Sequence, residues 1–187
     1  RPPRSTLCPY TMLFRSSYVL VENCTFQNNV LDYSTNNRNI YGGAVSNDGT
    51  LIVTHSKFLS NVAHSTSGLF SCGGSIYNKG KLIINHSEFL NSSSDDFSYG
   101  GVIANSADLI MDDTLISNSR SSQESRGGAI YNTGNFKLNN SIIENSIISK
   151  ANFQYVYGAI YNAGTFTACS NIFSNNTGVY YTPSRGS

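Results

Sequence analysis

The sequence has few charged residues and almost no net charge. Asp, Glu, Lys and Arg make up 12% of the 187 residues, about half of their share in a typical soluble domain, and the net charge is +1 at pH 7. It lacks the basic stripe that nucleic-acid-binding proteins carry. It also lacks a run of about 18 apolar residues, the minimum for a transmembrane helix. We therefore predict no nucleic-acid partner and no membrane span in this stretch of chain.

Helical periodicity is missing as well, and the sequence repeats instead. No segment sustains the apolar pattern of an amphipathic helix, and abundant glycine, asparagine and serine disfavour helices. A half copy of the repeat begins at Tyr18. Five fuller copies, whose starts lie 27–31 residues apart, begin at Gly42, Gly73, Gly100, Gly127 and Tyr157.

Each copy has a constant part and a variable part. The spacing from Ala44 to Phe58 is 14 residues, and the equivalent spacing is also 14 in each of the other four copies. A segment of constant length joined to one of variable length, which we call the elastic segment, is typical of each coil of a solenoid. We expect the elastic segments to be loops along one edge, at Val30–Tyr41, Val62–Cys72, Ser93–Tyr99, Arg120–Arg126 and Ile147–Val156.

Aligned apolar positions predict the strands. Every copy carries apolar side chains at the positions of Val45, Leu51 and Phe58, and at that of Val53. Leu51 and Val53 are two residues apart, which is the period of a strand with one buried face. We predict an all-β fold, a parallel β-helix of about five and a half coils of 27–31 residues, with three short strands in each coil.

One asparagine recurs in all five copies. It shares parity with the inward-facing apolar residue two positions before it, so its side chain should turn into a corner of the coil. Amides stacked at strand spacing can form hydrogen bonds from coil to coil, and we predict such a ladder; a polar binding strip is the alternative. The ladder residues are Asn47, Asn78, Asn105, Asn132 and Asn162.

Two motifs carry a family resemblance. "GGAV" at Gly42–Val45, "GGAI" at Gly127–Ile130, "FQNN" at Phe26–Asn29 and "FLSN" at Phe58–Asn61 resemble the GGA[ILV] and FxxN repeats of chlamydial polymorphic outer-membrane proteins and of microbial adhesin-like proteins. The resemblance implies a right-handed β-helix on a secreted, outer-membrane or other cell-surface protein. It implies adhesion or surface recognition, with host-cell proteins or surface glycans as partners.

The first residues do not fit the repeat. "STLCPYTMLFRS" at Ser5–Ser16 resembles the translation of a common sequencing adapter. We therefore predict that residues 1–16 are an unstructured, artefactual leader. The β-helix domain should span residues 17–176, as a fragment of a longer protein, and residues 177–187 should form a tail.

An enzyme acting on polysaccharides is an alternative function, because parallel β-helices also host lyases and hydrolases. Such reactions require clustered carboxylates. The best candidate is the column of His55, His86 and Asp113, with Asp112 adjacent. Later copies carry Asn140 and Ser170 there, so we predict no enzyme, catalytic residue, metal site or cofactor.

The outward positions favour binding. By strand parity, two stripes of large side chains point away from the core. Exposed aromatic and aliphatic stripes are typical of contact surfaces, although strand propensity alone also favours Tyr and Ile. A purely structural spacer is therefore a further alternative. The candidate binding residues are Tyr77, Tyr131 and Tyr161, and Ile52, Ile83 and Ile110.

The cysteines form no recognisable framework. Outside the leader they are Cys24, Cys72 and Cys169, which occupy three different repeat positions, and there is no Cys-x-x-Cys pair. We predict small buried fillers, with neither a disulfide nor a zinc site.

Overall fold

The computed structural model describes residues 12–15, 17–32, 39–65, 69–95, 97–122, 125–151 and 158–180. In these residues all sheets are parallel and there is no helix. The strands stack coil on coil as a β-solenoid, so the predicted all-β parallel β-helix is confirmed. Its right-handed sense stays a prediction.

The constant part of each copy supplies three six-stranded sheets. The first contains Met12–Phe14, Val45–Asn47, Ile76–Asn78, Ile103–Asn105, Ile130–Asn132 and Ile160–Asn162. The second contains Tyr18–Glu22, Thr50–Thr54, Lys81–Asn85, Asp108–Asp112, Asn135–Asn139 and Thr165–Cys169. The third contains Thr25–Gln27, Lys57–Leu59, Glu88–Leu90, Leu115–Ser117, Ile142–Glu144 and Ile172–Ser174.

The prediction of three strands per coil is wrong, because the elastic segments begin with strands of their own and three of them also end with one. A fourth six-stranded sheet and a shorter fifth sheet lie there. The fourth contains Val30–Asp32, Val62–His64, Ser93–Ser94, Arg120–Ser122, Ile147–Ala151 and Thr177–Tyr180. The fifth contains Ile40–Tyr41, Phe70–Cys72 and Phe97–Tyr99.

The core is a set of side-chain stacks that run along the solenoid. Phe26, Phe58 and Phe89 are fully buried and stack, with ring centroids 4.5 and 4.6 Å apart. Ile116 and Ile143 continue this column. Equivalent residues of successive coils pair directly, so each apolar column of the sequence becomes one stack, and the stacks together form one continuous core.

Two corners of each coil hold non-glycine residues with positive φ, a conformation in which short polar side chains are tolerated best. This geometry explains why His, Asp, Asn and Ser share a column. One corner has Asn23, His55, His86, Asp113, Asn140 and Ser170; the other has Asn28, Ser60, Asn91, Asn118, Asn145 and Asn175.

The repeat extends beyond both predicted boundaries. Met12–Phe14 pairs in register with Val45–Asn47, and Met12 and Phe14 pack against the core. The prediction of an unstructured leader is therefore wrong for these three residues. Thr177–Tyr180 pairs with Ile147–Ala151, so the predicted tail begins too early. The remainder of both segments, residues 1–11, 16 and 181–187, lies outside the described residues.

Candidate functional site

The predicted asparagine ladder is present. The side-chain amide of each Asn donates to the side-chain oxygen of the next, at 2.7 Å in the first three steps and 2.6 Å in the last. Four members are almost fully buried, and only Asn162 at the end is exposed. Each amide also donates to a backbone carbonyl two residues ahead, as Asn105 does to Ala107. The ladder therefore satisfies the hydrogen-bonding capacity of buried amides and backbone carbonyls at a corner of the coil. This is a structural role.

A second polar column was missed by the sequence reasoning. Asn29 donates to the side-chain oxygen of Asn61 at 2.8 Å, and Asn61 donates to the carbonyl of Phe26 at 3.0 Å. The next three coils carry serine here and the last carries Asn176; Ser119 donates to Ser146 at 2.8 Å. The FxxN motif could have revealed this column, since its Phe lies in the core and its Asn satisfies the adjoining corner.

The tyrosine stripe lies on the outer face of the first sheet, as predicted. Tyr77, Tyr131 and Tyr161 are partly exposed, and Ala104, which pairs with both Tyr77 and Tyr131, is 2% exposed. The rings of Tyr131 and Tyr161 stack at 5.2 Å.

Two further tyrosines from the fifth sheet complete this surface. Tyr41 packs on Tyr77 at 4.6 Å, and Tyr99 stacks on Tyr131 at 4.6 Å. Sequence reasoning missed them, although both directly precede a Gly-Gly pair. We call the five residues the tyrosine ribbon: Tyr41, Tyr77, Tyr99, Tyr131 and Tyr161.

Two cations lie over the tyrosine ribbon. The Lys79 ammonium is 5.5 Å from the ring centre of Tyr41 and 5.4 Å from that of Tyr77. The Arg126 guanidinium is 5.8 Å from Tyr99 and 5.4 Å from Tyr161. These are cation–π distances, so the ribbon is an aromatic surface with a positive charge towards each end.

A pocket of about 240 Å³ opens in the ribbon between these cations. The small side chains of Cys72 and Ala104 leave space there, and Ser106 and Thr133 add hydroxyl groups. Rings surround the space: Tyr41, Phe70, Tyr77, Tyr99 and Tyr131. The site therefore combines apolar ring faces with hydroxyl donors and acceptors.

Burial favours the neutral form of three ionisable groups of this pocket. It raises the pKa of the Tyr77 phenol from 10.0 to about 12, and it raises the pKa of the Cys72 thiol to about 12. The pKa of Tyr131 is raised too, mainly by burial, while Arg126 opposes the shift. A thiol this buried and protonated is a poor nucleophile.

The Tyr77 shift predicts a late ionisation. Because the raised pKa disfavours the phenolate in the folded state, Tyr77 should stay protonated through pH 10.0 and lose its proton near pH 12. Its contribution to stability is complete below pH 10.0 and is lost as the pH rises towards 12. The tyrosinate absorbance of the wild type minus that of Tyr77→Phe measures this; a difference curve centred near pH 10.0 would contradict the prediction.

The isoleucine stripe lies on a different sheet. Ile52, Ile83 and Ile110 are half-buried on the outer face of the second sheet, and Lys137 follows them in register. A pocket of about 390 Å³ beside Ile110 and Lys137 is lined by charged and amide side chains as well as apolar ones. The two predicted stripes are thus on adjacent sheets. Only the tyrosine stripe has stacked rings.

The His and Asp column forms pairs. His55 stacks on His86 at 5.0 Å, and His86 Nε2 lies 3.3 Å from Asp113 Oδ2. Within the described part of the chain, no three His, Cys, Asp or Glu side chains are grouped as metal ligands would be. The column is a corner position whose side chains contact one another in the solvent-exposed turn.

The side chains of Ser122, Asp95 and His64 also meet, with Asp95 between the other two. Ser122 Oγ donates to Asp95 Oδ1 at 3.3 Å, and His64 Nδ1 lies 3.2 Å from Asp95 Oδ2. The carboxylate is in the middle, so this imidazole is not placed to take the serine proton as a catalytic triad requires. The arrangement joins neighbouring coils.

The three cysteines in the described part of the chain are free thiols with different exposures. Cys72 is buried, Cys24 is partly buried and Cys169 is exposed. The prediction of buried fillers is therefore right for Cys72 and wrong for Cys169, which lies on the last coil.

Comparison with protein-family models, curated proteins and solved structures finds no match to this chain. Among the residues that the structure describes, no helix has the length and apolarity to cross a membrane.

Proposed function

We propose that this chain is an adhesin-like recognition module of a cell-surface or secreted protein, and that it binds glycans through the tyrosine ribbon. The observation that carries the proposal is the open, ring-lined pocket within a row of partly exposed tyrosines. The GGA[ILV] and FxxN resemblance, with its surface proteins, supports the same class of function.

The chemistry of the ribbon suits a sugar. A pyranose has a face of C–H groups that packs on aromatic rings, and it has hydroxyls that require hydrogen-bond partners. Tyrosine supplies both a ring and a polar end, and Ser106 and Thr133 lie at the pocket. Small-molecule sites commonly combine apolar walls with a few polar groups in this way.

The rigid coil favours recognition without rearrangement. The strands that hold Tyr77 and Tyr131 pair in register through Ala104, and the ladder Asn follows each of these residues directly. The rings are therefore fixed before a ligand arrives, which lowers the entropic cost of binding.

The test is a triple variant, Tyr77→Ser, Tyr131→Ser and Tyr161→Ser, assayed on immobilised glycans and on cells with and without their surface glycans. We expect affinity to fall at least about tenfold, since each lost ring contact is worth about 1 kcal/mol. Tyr18→Ser is the matched control, because Tyr18 is 70% exposed and lies on the second sheet.

Melting temperatures must accompany these assays, so that lost binding is not confused with lost folding. Undiminished glycan binding by the triple variant would refute the ribbon as the site. Binding to cells that survives removal of their glycans would indicate a protein partner instead, and no binding by the wild type would favour the structural spacer.

A further inference from the structure

We infer that the pocket over Ala104 selects an acidic sugar, a pyranose ring that carries a carboxylate. This inference rests on the proposed function and deepens it, since it names the ligand class and the place in the ribbon where the charged unit lies.

Size limits the pocket to one ring. Its volume is about 240 Å³, below the roughly 300 Å³ at which pockets for drug-sized ligands begin. Ala104 is the residue that leaves the space, because the residues paired with it on both sides are Tyr77 and Tyr131. Phe70, which stacks on Tyr99 at 5.1 Å, bounds the space with a further ring. One sugar unit of a longer glycan can enter, and the remaining units follow the ribbon.

Charge selects the kind of ring. The lining side chains that the structure describes include no carboxylate, whereas Lys79 and Arg126 lie over ribbon tyrosines on the two sides of the pocket. An anionic sugar meets a positive potential there, and a neutral sugar gains nothing from it.

Titration of the lining groups supports this view of the potential. The Lys79 charge lowers the pKa of Cys72, and the Arg126 charge lowers that of Tyr131, in each case against a larger opposing effect of burial. Both cations therefore act on groups that line the pocket. Asp48 acts in the opposite sense on Tyr77, as the smallest of the causes at that residue.

The carboxylate would add charge-assisted hydrogen bonds to the stacking contact. Such bonds are about twice as strong as neutral ones, and at an exposed site they weaken as salt rises. Discrimination between acidic and neutral sugars should therefore be strong at low ionic strength and small at high ionic strength.

The ligand test compares glucuronic acid oligosaccharides with the same oligosaccharides after methyl esterification of their carboxylates. We expect the acidic form to bind the wild type about tenfold more tightly at low salt, and we expect high salt or Lys79→Gln to shrink that ratio towards one. Equal affinity for both forms would overturn the acidic selectivity while leaving the proposed function standing.

The position test uses Ala104→Leu, which adds bulk to the pocket and changes no ribbon residue. Ser46→Leu is the control, because Ser46 occupies the same column, pairs with Tyr77 and does not line the pocket. We expect Ala104→Leu to abolish the preference for the acidic form and Ser46→Leu to preserve it. A preference that survives Ala104→Leu but not the tyrosine triple variant would place the charged unit elsewhere on the ribbon. Failure of both forms to bind would overturn this ligand class, and failure of the wild type on every immobilised glycan and on cells would refute the proposed function itself.

Discussion

Gly74→Ala should unfold the domain or cost about 3 kcal/mol or more of stability, one of the largest effects of any single methyl group in this chain. A Cβ at Gly74 would overlap the carbonyl oxygens of Gly101 in the next coil and of Ser93 in the fourth sheet. Both are backbone atoms where coils touch: Ser93 lies in a paired strand, and Gly74 itself donates to the carbonyl of Gly100 at 3.4 Å, so making room for a methyl group would disturb coil-to-coil hydrogen bonds. The measurement is chemical denaturation followed by far-UV circular dichroism.

The same column supplies the control. Gly158 is the equivalent residue of the last copy, and a Cβ there meets nothing within 4 Å. Gly158→Ala should therefore leave stability within about 0.5 kcal/mol of wild type. If the two variants were equally stable, close backbone approach would not be the reason for the Gly-Gly pairs.

The repeat columns predicted the stacking because a solenoid pairs equivalent residues. Ile76 lies beside Ile103, as the alignment of copies implies, and the constant spacing keeps that register through three sheets. Neither strand propensity nor hydrophobicity was needed to predict which residues pair between coils. The period alone determines which residues meet.

The fourth sheet was missed because its buried column is not consistently apolar: it contains Ala63, Ser94, Ser121 and Ile148. Ser93–Ser94 and Arg120–Ser122 are strands whose place comes from pairing with the coils on either side. Their side chains offer little sign of this, since the buried side chains are serines: Ser94 donates to the carbonyl of Gly100, and Ser121 donates to that of Gly127. Tertiary context decides such segments.

The candidate site was predicted only in part. Parity placed Tyr77, Tyr131 and Tyr161 on the outer face. Tyr41 and Tyr99 instead precede the Gly-Gly pair, in the segments where the copies differ in length. Their stacking depends on how the chain turns at Gly42 and at Gly100, both with positive φ. The two cations and the pocket follow from that turn, so sequence columns alone could not assemble them.

Asn105→Leu, in the middle of the asparagine ladder, should cost about 1–3 kcal/mol of stability. Asn105 is 1% exposed. Its amide donates to Asn132 at 2.7 Å and to the carbonyl of Ala107 at 2.8 Å, and its oxygen accepts from Asn78 at 2.7 Å. Leucine has similar bulk and none of these bonds, so buried partners on both sides lose one each.

The matched control is Asn162→Leu, at the open end of the same ladder. Asn162 is exposed; it accepts from Asn132 at 2.6 Å and donates to the carbonyl of Gly164 at 2.8 Å. Water can replace the bond to Gly164, and Asn132 keeps its bonds to the carbonyls of Gly134 and Thr165, so we expect a loss under about 0.5 kcal/mol. The two sites share one motif and differ chiefly in their access to water. Equal losses of unfolding free energy in urea denaturation would therefore mean that burial is not what makes the ladder bonds important for stability.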